Sequence, residues 1–195
     1  MEKQMKIFPE GTKVLLHACC APCSSAVLER IANYFEVTIL YYNPNITKEE
    51  EYKKRILELK RLINSISPKY KVALIEGRYD PTEFFDIAKG LEKEPERGRR
   101  CFKCYTLRLE ETARVAEKLG FPLFCTTLTL SPHKNANWIN EIGEDLDKKY
   151  NTTYLYSDFK KKNGYKRSIE LSKELNLYRQ DYCGCIYSIR DKEAE

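Results

Sequence analysis

The chain has 195 residues, 42% of them hydrophobic and 32% charged, and a formal net charge of +5. This length supports one packed core without staples, no stretch approaches the roughly 20 apolar residues of a membrane span, and the opening MEKQMKIFPEG lacks a signal-peptide apolar core. The expected location is therefore cytoplasmic, and the small positive charge admits an anionic partner without demanding one.

TKVLLHA (12–18) is a short apolar run and predicts a buried strand. Pro22 suits the first turn of a helix reaching about residue 35, with Ala26, Val27, Arg30 and Ile31 at helical spacing. EVTILYY (36–42) predicts a second strand, broken by Asn-Pro-Asn. Thr47 and Glu50 have the spacing of a capping box for a helix over 47–65. YKVALIE (70–76) predicts a third strand, and Asp80-Pro81 with Glu83 a cap for a short helix to about residue 91. A polar loop follows, then a helix over 103–119 closed by Gly120. PLFCTTLTL (122–130) predicts a fourth strand, Ser131-Pro132 a helix running to 149, and TTYLYS (152–157) a fifth strand. A basic loop, DFKKKNGYKR, leads into a helix over 166–175, and the tail carries YRQDYCGC and a short last helix.

Strands alternating with helices predict a single α/β domain over 1–195, its mostly parallel sheet flanked by helices. Ligands of such sheets gather beyond the carboxyl ends of the strands. That places Cys19, Cys20 and Cys23, the YYNPN loop, GRYD (77–80) and TLSPHK (129–134) around one crevice.

The eight cysteines fall as Cys19, Cys20 and Cys23; Cys101 and Cys104; Cys125; and Cys183 and Cys185. Disulfides are rare in the expected compartment, so metal or redox chemistry is the leading reading. Cys101-x-x-Cys104 at a loop-to-helix junction can converge on one centre: zinc, an iron–sulfur cluster or a redox pair. A closed zinc site uses four cysteines and leaves a cluster of them unexplained, which favours iron–sulfur. Spacing alone pairs Cys101 and Cys104 with Cys20 and Cys23, which share a helix face. Adjacent Cys19 and Cys20 point opposite ways in a straight strand and share a ligand only if the chain bends. Cys183-Gly184-Cys185 could close only a strained, easily reduced bridge, which is a redox device rather than a staple. Cys125, inside an apolar run, reads as a small core residue. Two readings of another class stay open: a zinc-stabilised RNA-binding module using Cys101, Cys104, Cys183 and Cys185, and a metal-free thiol oxidoreductase.

HACCAPC (17–23), YYNPNI (41–46), EYKKR (51–55), RCFKCYTLRLEETA (100–113), TTLTLSPHKN (126–135) and the long block 158–185 together resemble the epoxyqueuosine reductases of the QueH type. The resemblance covers nearly the whole chain. It implies reductive deoxygenation of epoxyqueuosine in the anticodon wobble position of a tRNA, without cobalamin, using an electron donor the sequence does not identify. It implies a 4Fe-4S cluster on Cys19, Cys20, Cys101 and Cys104, a redox-active Cys183–Cys185 pair and an additional iron, for which Cys23 is the candidate ligand. The implied fold is similar to the adenine-nucleotide α-hydrolase-like (HUP) domains. The glycine-rich phosphate loop of their ATP-using members is replaced here by HACCAPC, so ATP use is not expected.

Removing an epoxide oxygen as water takes two electrons and two protons. Tyr42, Asp80 and His133, near strand ends, are the candidate proton donors. Arg97, Arg99 and Arg100, with Lys160, Lys161, Lys162, Lys166 and Arg167 interleaved with Phe159 and Tyr165, are the candidate tRNA contacts, since cations hold phosphates and aromatics stack on unpaired bases.

Overall fold

The computed structural model describes residues 5–189. β1 (Lys13–His17), β2 (Glu36–Tyr41), β3 (Ala73–Glu76), β4 (Leu123–Thr126) and β5 (Thr153–Tyr154) form one all-parallel sheet in the order β3-β2-β1-β4-β5. The helices between them are α1 (Ala21–Ile31), α2 (Glu49–Ser65), α3 (Thr82–Ala88), α4 (Arg99–Leu119), α5 (Ala136–Lys149) and α6 (Gly164–Glu174). This is the α/β architecture expected from the alternation, consistent with a HUP-like fold.

Both faces of the sheet are covered, which is why its central strands read as unbroken apolar runs. Val14, Leu16, Val37, Ile39 and Cys125 pack with Val27 and Ile31 of α1 and Leu59 of α2. Their neighbours Leu15, Leu40 and Phe124 point the other way, onto Leu109 and Ala113 of α4 and Ile139 of α5. Cys125 is thus a core residue, as its sequence surroundings predict.

Several boundaries differ from expectation, each for a local reason. α4 begins at Arg99 rather than 103. The N–H of Arg97 donates to Cys101 Sγ (3.3 Å) and that of Arg99 to the Glu94 carboxylate (3.1 Å), so donors near this helix start already have partners. β4 stops at Thr126 because the Thr126 hydroxyl accepts from the Leu128 N–H and turns the chain into a 3-10 helix, Thr127–Leu130. Ser131-Pro132 opens no helix: the Ser131 hydroxyl accepts from the His133 N–H in a turn, and α5 starts later, capped by Asn135 Oδ1 on the N–H groups of Asn137 and Trp138. The Thr47–Glu50 capping box does not form, since the Thr47 hydroxyl is buried without a partner and its N–H donates to the Gly184 carbonyl. Asp80 caps as expected, accepting from Thr82, while Glu83 turns to Arg78 (2.6 Å). Gly120 closes α4 in the left-handed region, φ +71.

Candidate metal centre

β1 delivers the first three cysteines. The Ala18 N–H still pairs with the Leu40 carbonyl, Cys20 is fully extended (φ −169, ψ 160), and α1 begins at Ala21-Pro22. That bend lets adjacent cysteines face one centre. The sulfurs of Cys19, Cys20 and Cys23 lie within 4.8 Å of one another, Cys19 and Cys20 at 3.7 Å. Cys19 and Cys20 are buried and Cys23 is half-buried. Hydrogen bonding with the Cys20 and Cys23 thiols holds the Cys19 thiol well below the usual range, and Lys134 and Arg108 add to the effect. The same contact with Cys19 raises Cys20 to about 11, and Cys23 is also raised. Of the three thiols, Cys19 is thus the most acidic.

A second set meets beside it. Cys101 and Cys104, one turn apart on α4, line a small hollow with Cys183 and Cys185, Tyr105 and Lys134. Burial pushes the Cys104 thiol up to about 12 and raises Cys101 and Cys185 as well. All eight cysteines are free thiols. A cleft of about 210 Å³ adjoins the hollow and shares Cys183 and Lys134 with it, while also touching Cys19, Cys23 and His133. The carboxyl end of the sheet thus brings together seven of the eight cysteines, in two neighbouring sets.

The Cys183–Cys185 loop is held from α2. Arg55, buried and paired with Glu51 at 2.6 Å, donates to the carbonyls of Cys183 (3.0 Å) and Tyr182 (3.2 Å). Gly184 sits at φ +118, where a Cβ would come within 2.9 Å of Ile46 and 3.3 Å of Arg55. Only glycine fits that turn without strain.

Beneath the cysteines lies a polar layer. Arg108 of α4 is fully buried and donates to Asn43 Oδ1 (2.6 Å) and His17 Nε2 (3.3 Å). His17 Nε2 also lies 3.1 Å from the Tyr42 carbonyl, and Nδ1 faces Thr126 Oγ1 at 3.0 Å. Burial, and then Arg108, lower His17 to about 3, so it is neutral. Burial opposes the charges of Arg108 and Lys134, yet the surrounding sulfurs raise both pKa values. Asn45 lines the hollow, and its buried Oδ1 has no partner.

Of the predicted proton donors, His133 is exposed and lines the cleft. The Tyr42 hydroxyl is held by Glu83, and Asp80 by Thr82. The predicted RNA contacts divide similarly. Arg97 donates to the carbonyls of Pro132 and His133, and Arg99 pairs with Glu94. Arg100 is buried, holding the carbonyls of Leu91, Glu92 and Glu94. Arg167 pairs with Glu29 and Glu174 at 2.8 Å each. Lys160 and Lys161 approach Asp158, while Lys162 and Lys166 are exposed. Sequence reasoning missed Arg55, Arg108 and Lys134 as parts of the site. Each lies inside a motif block quoted above, which was the available signal.

The donor set suits a thiophilic metal: clustered sulfurs, little oxygen, cations close by. Cysteines that share a four-iron cluster bind different irons and need not converge as tightly as the first trio. The family profile described as Epoxyqueuosine reductase QueH matches residues 14–191. Curated proteins of that name are similar over most of the chain. The Streptococcus pyogenes protein is 41% identical over 97% of this chain and 76% of its own length. That of Staphylococcus epidermidis is 45% identical over 92% and 77%. That of Thermotoga maritima is 35% identical over 93% and 94%. No helix among the described residues is long and apolar enough to cross a membrane.

Proposed function

The chain belongs to the epoxyqueuosine reductase QueH family, and from that premise we propose that it removes the epoxide oxygen of epoxyqueuosine at the wobble position of a tRNA, at a 4Fe-4S cluster. The observation that carries this reading is the meeting of the Cys19–Cys20–Cys23 trio with the Cys101, Cys104, Cys183 and Cys185 hollow at the carboxyl end of the sheet. Cys19, Cys20, Cys101 and Cys104 are the proposed cluster ligands. Cys23, in the first turn of α1 and facing the cleft, is the proposed ligand of an additional iron. The cluster supplies one-electron transfer, and a neighbouring iron supplies a Lewis acid for the departing oxygen.

The residues of the chain do the rest. Epoxide, two electrons and two protons give alkene and water. Closing the Cys183–Cys185 disulfide releases two electrons and two protons, and an external donor must then reduce the pair. Gly184 lets the two thiols approach, and Arg55 fixes the loop that bears them. His133, exposed and lining the cleft, is the proposed donor of a proton to the leaving oxygen. The cleft is the proposed receptor of the modified nucleoside, presented to it by the substrate loop. Exposed Lys161, Lys162 and Lys166, with Tyr165 lining the cleft, are the proposed RNA contacts.

The test is anaerobic turnover. Protein reconstituted with iron and sulfide is incubated with tRNA carrying epoxyqueuosine and a chemical reductant, and the nucleosides are analysed by mass spectrometry. The expected outcome is loss of one oxygen atom from the modified nucleoside, abolished in Cys104→Ser. An unchanged nucleoside with fully loaded protein contradicts the proposal.

A further inference from the structure

Arg108 is unusual among the buried arginines. Arg55, equally buried, has the Glu51 carboxylate at 2.6 Å. Arg100 is surrounded by three carbonyls and lies over the Tyr187 ring at 4.6 Å. Arg108 has two neutral partners, Asn43 Oδ1 and His17 Nε2. Among the described residues it makes no ion pair with a carboxylate, and neither does Lys134. A buried cation without a counter-charge is strongly destabilising. What faces Arg108 instead is sulfur, chiefly Cys104, with Cys19 and Cys183. Lys134 faces Cys183, Cys19 and Cys23 and lines both the hollow and the cleft. Two cations from different elements, α4 and the loop before α5, thus line the cleft beside Cys19, Cys23 and Cys183, and Lys134 lines the hollow as well.

We infer that Arg108 and Lys134 are the fixed counter-ions of an anionic thiolate–metal centre and hold its reduction potential up. The inference rests on the cluster reading above and adds to it a role for residues that bind no metal. Adding an electron makes a thiolate-bound cluster more negative, so nearby positive charge stabilises the reduced form more than the oxidised one. Low local dielectric makes the effect large and protects it from salt. Both residues act through the centre, so they are positioning residues. Arg108 also anchors the polar layer through Asn43 Oδ1 and His17.

The test is a reductive titration under argon, followed by EPR, of wild type, Arg108→Lys, Arg108→Gln and Lys134→Gln, each matched for iron and sulfide content. The expected result is a reduction equilibrium shifted about tenfold toward the oxidised form in Arg108→Gln and Lys134→Gln, about 59 mV more negative for one electron. Arg108→Lys stays close to wild type because the charge survives, and raising the salt concentration leaves the shifts in place. Should Arg108→Gln not fold, Lys134→Gln, nearer the surface, carries the comparison. Coincident midpoints with intact clusters in every variant overturn the counter-ion role alone. A wild type that binds neither iron nor sulfide overturns the cluster reading and this one with it.

Discussion

His17 closes β1 facing away from solvent, and its neutrality has a cost that shows in acid. Its folded pKa is about 3, against about 6.5 for an unfolded histidine. Below about pH 6.5 the unfolded chain takes a proton that the folded chain refuses, so stability falls as the pH falls toward 3. The slope is roughly 1.4 kcal/mol per pH unit. Metal-free wild type is expected to lose about that much more stability between pH 5.5 and 4.5 than His17→Gln, measured by urea denaturation. Parallel pH profiles contradict the assignment. Single residues were unevenly legible in the sequence. The cysteines announced themselves by spacing, and Cys125 by its apolar neighbours. Arg108 did not, because a lone arginine at helical spacing reads as a solvated face. Its partners Asn43 and His17 lie 65 and 91 residues away in sequence. Arg100 and Arg167 looked like a nucleic-acid surface, yet the structure gives them carbonyl and carboxylate partners.

Between elements, the contact that matters most is that of α2 with the tail. Arg55, paired with Glu51 one turn away, reaches the Cys183 loop, and the Gly184 carbonyl in return accepts from the Thr47 N–H just ahead of α2. The same contact explains why Thr47 forms no capping box. Local helix-start chemistry gave way to pairing with a segment more than 130 residues on, which no window of sequence reveals. Helix and strand identities were legible from periodicity. Starts set by side chains from elsewhere, such as Glu94 at α4, were not. Gly184→Ala must place a Cβ against Ile46 at positive φ, with a cost of about 1–3 kcal/mol. Gly90→Ala, also at positive φ but with nothing within 4 Å, isolates the backbone part of that cost. Denaturation is expected to rank Gly184→Ala clearly below Gly90→Ala. Equal losses contradict a tightly packed tail loop.

For the molecule as a whole, the sheet decides where chemistry happens. The bend after β1, the first turns of α1 and α4, the loop before α5 and the tail converge at the carboxyl end of the parallel sheet. This convergence was legible from the alternation of strands and helices alone. The division of the cysteines into two neighbouring sets was not, because it depends on where the tail folds back. The net charge of +5 is spread over a surface whose arginines are largely paired internally, so the RNA contact proposed above is assigned to the exposed lysines around Tyr165. The central claim is that these cysteines hold iron and sulfide. The most direct measurement is iron, zinc and acid-labile sulfide per chain on protein purified without air, with an EPR spectrum after dithionite. About four irons and four sulfides with a reduced-cluster signal are expected, and a fifth iron would point to the additional metal. One zinc per chain without sulfide contradicts the account and makes the hollow of Cys101, Cys104, Cys183 and Cys185 a structural zinc site.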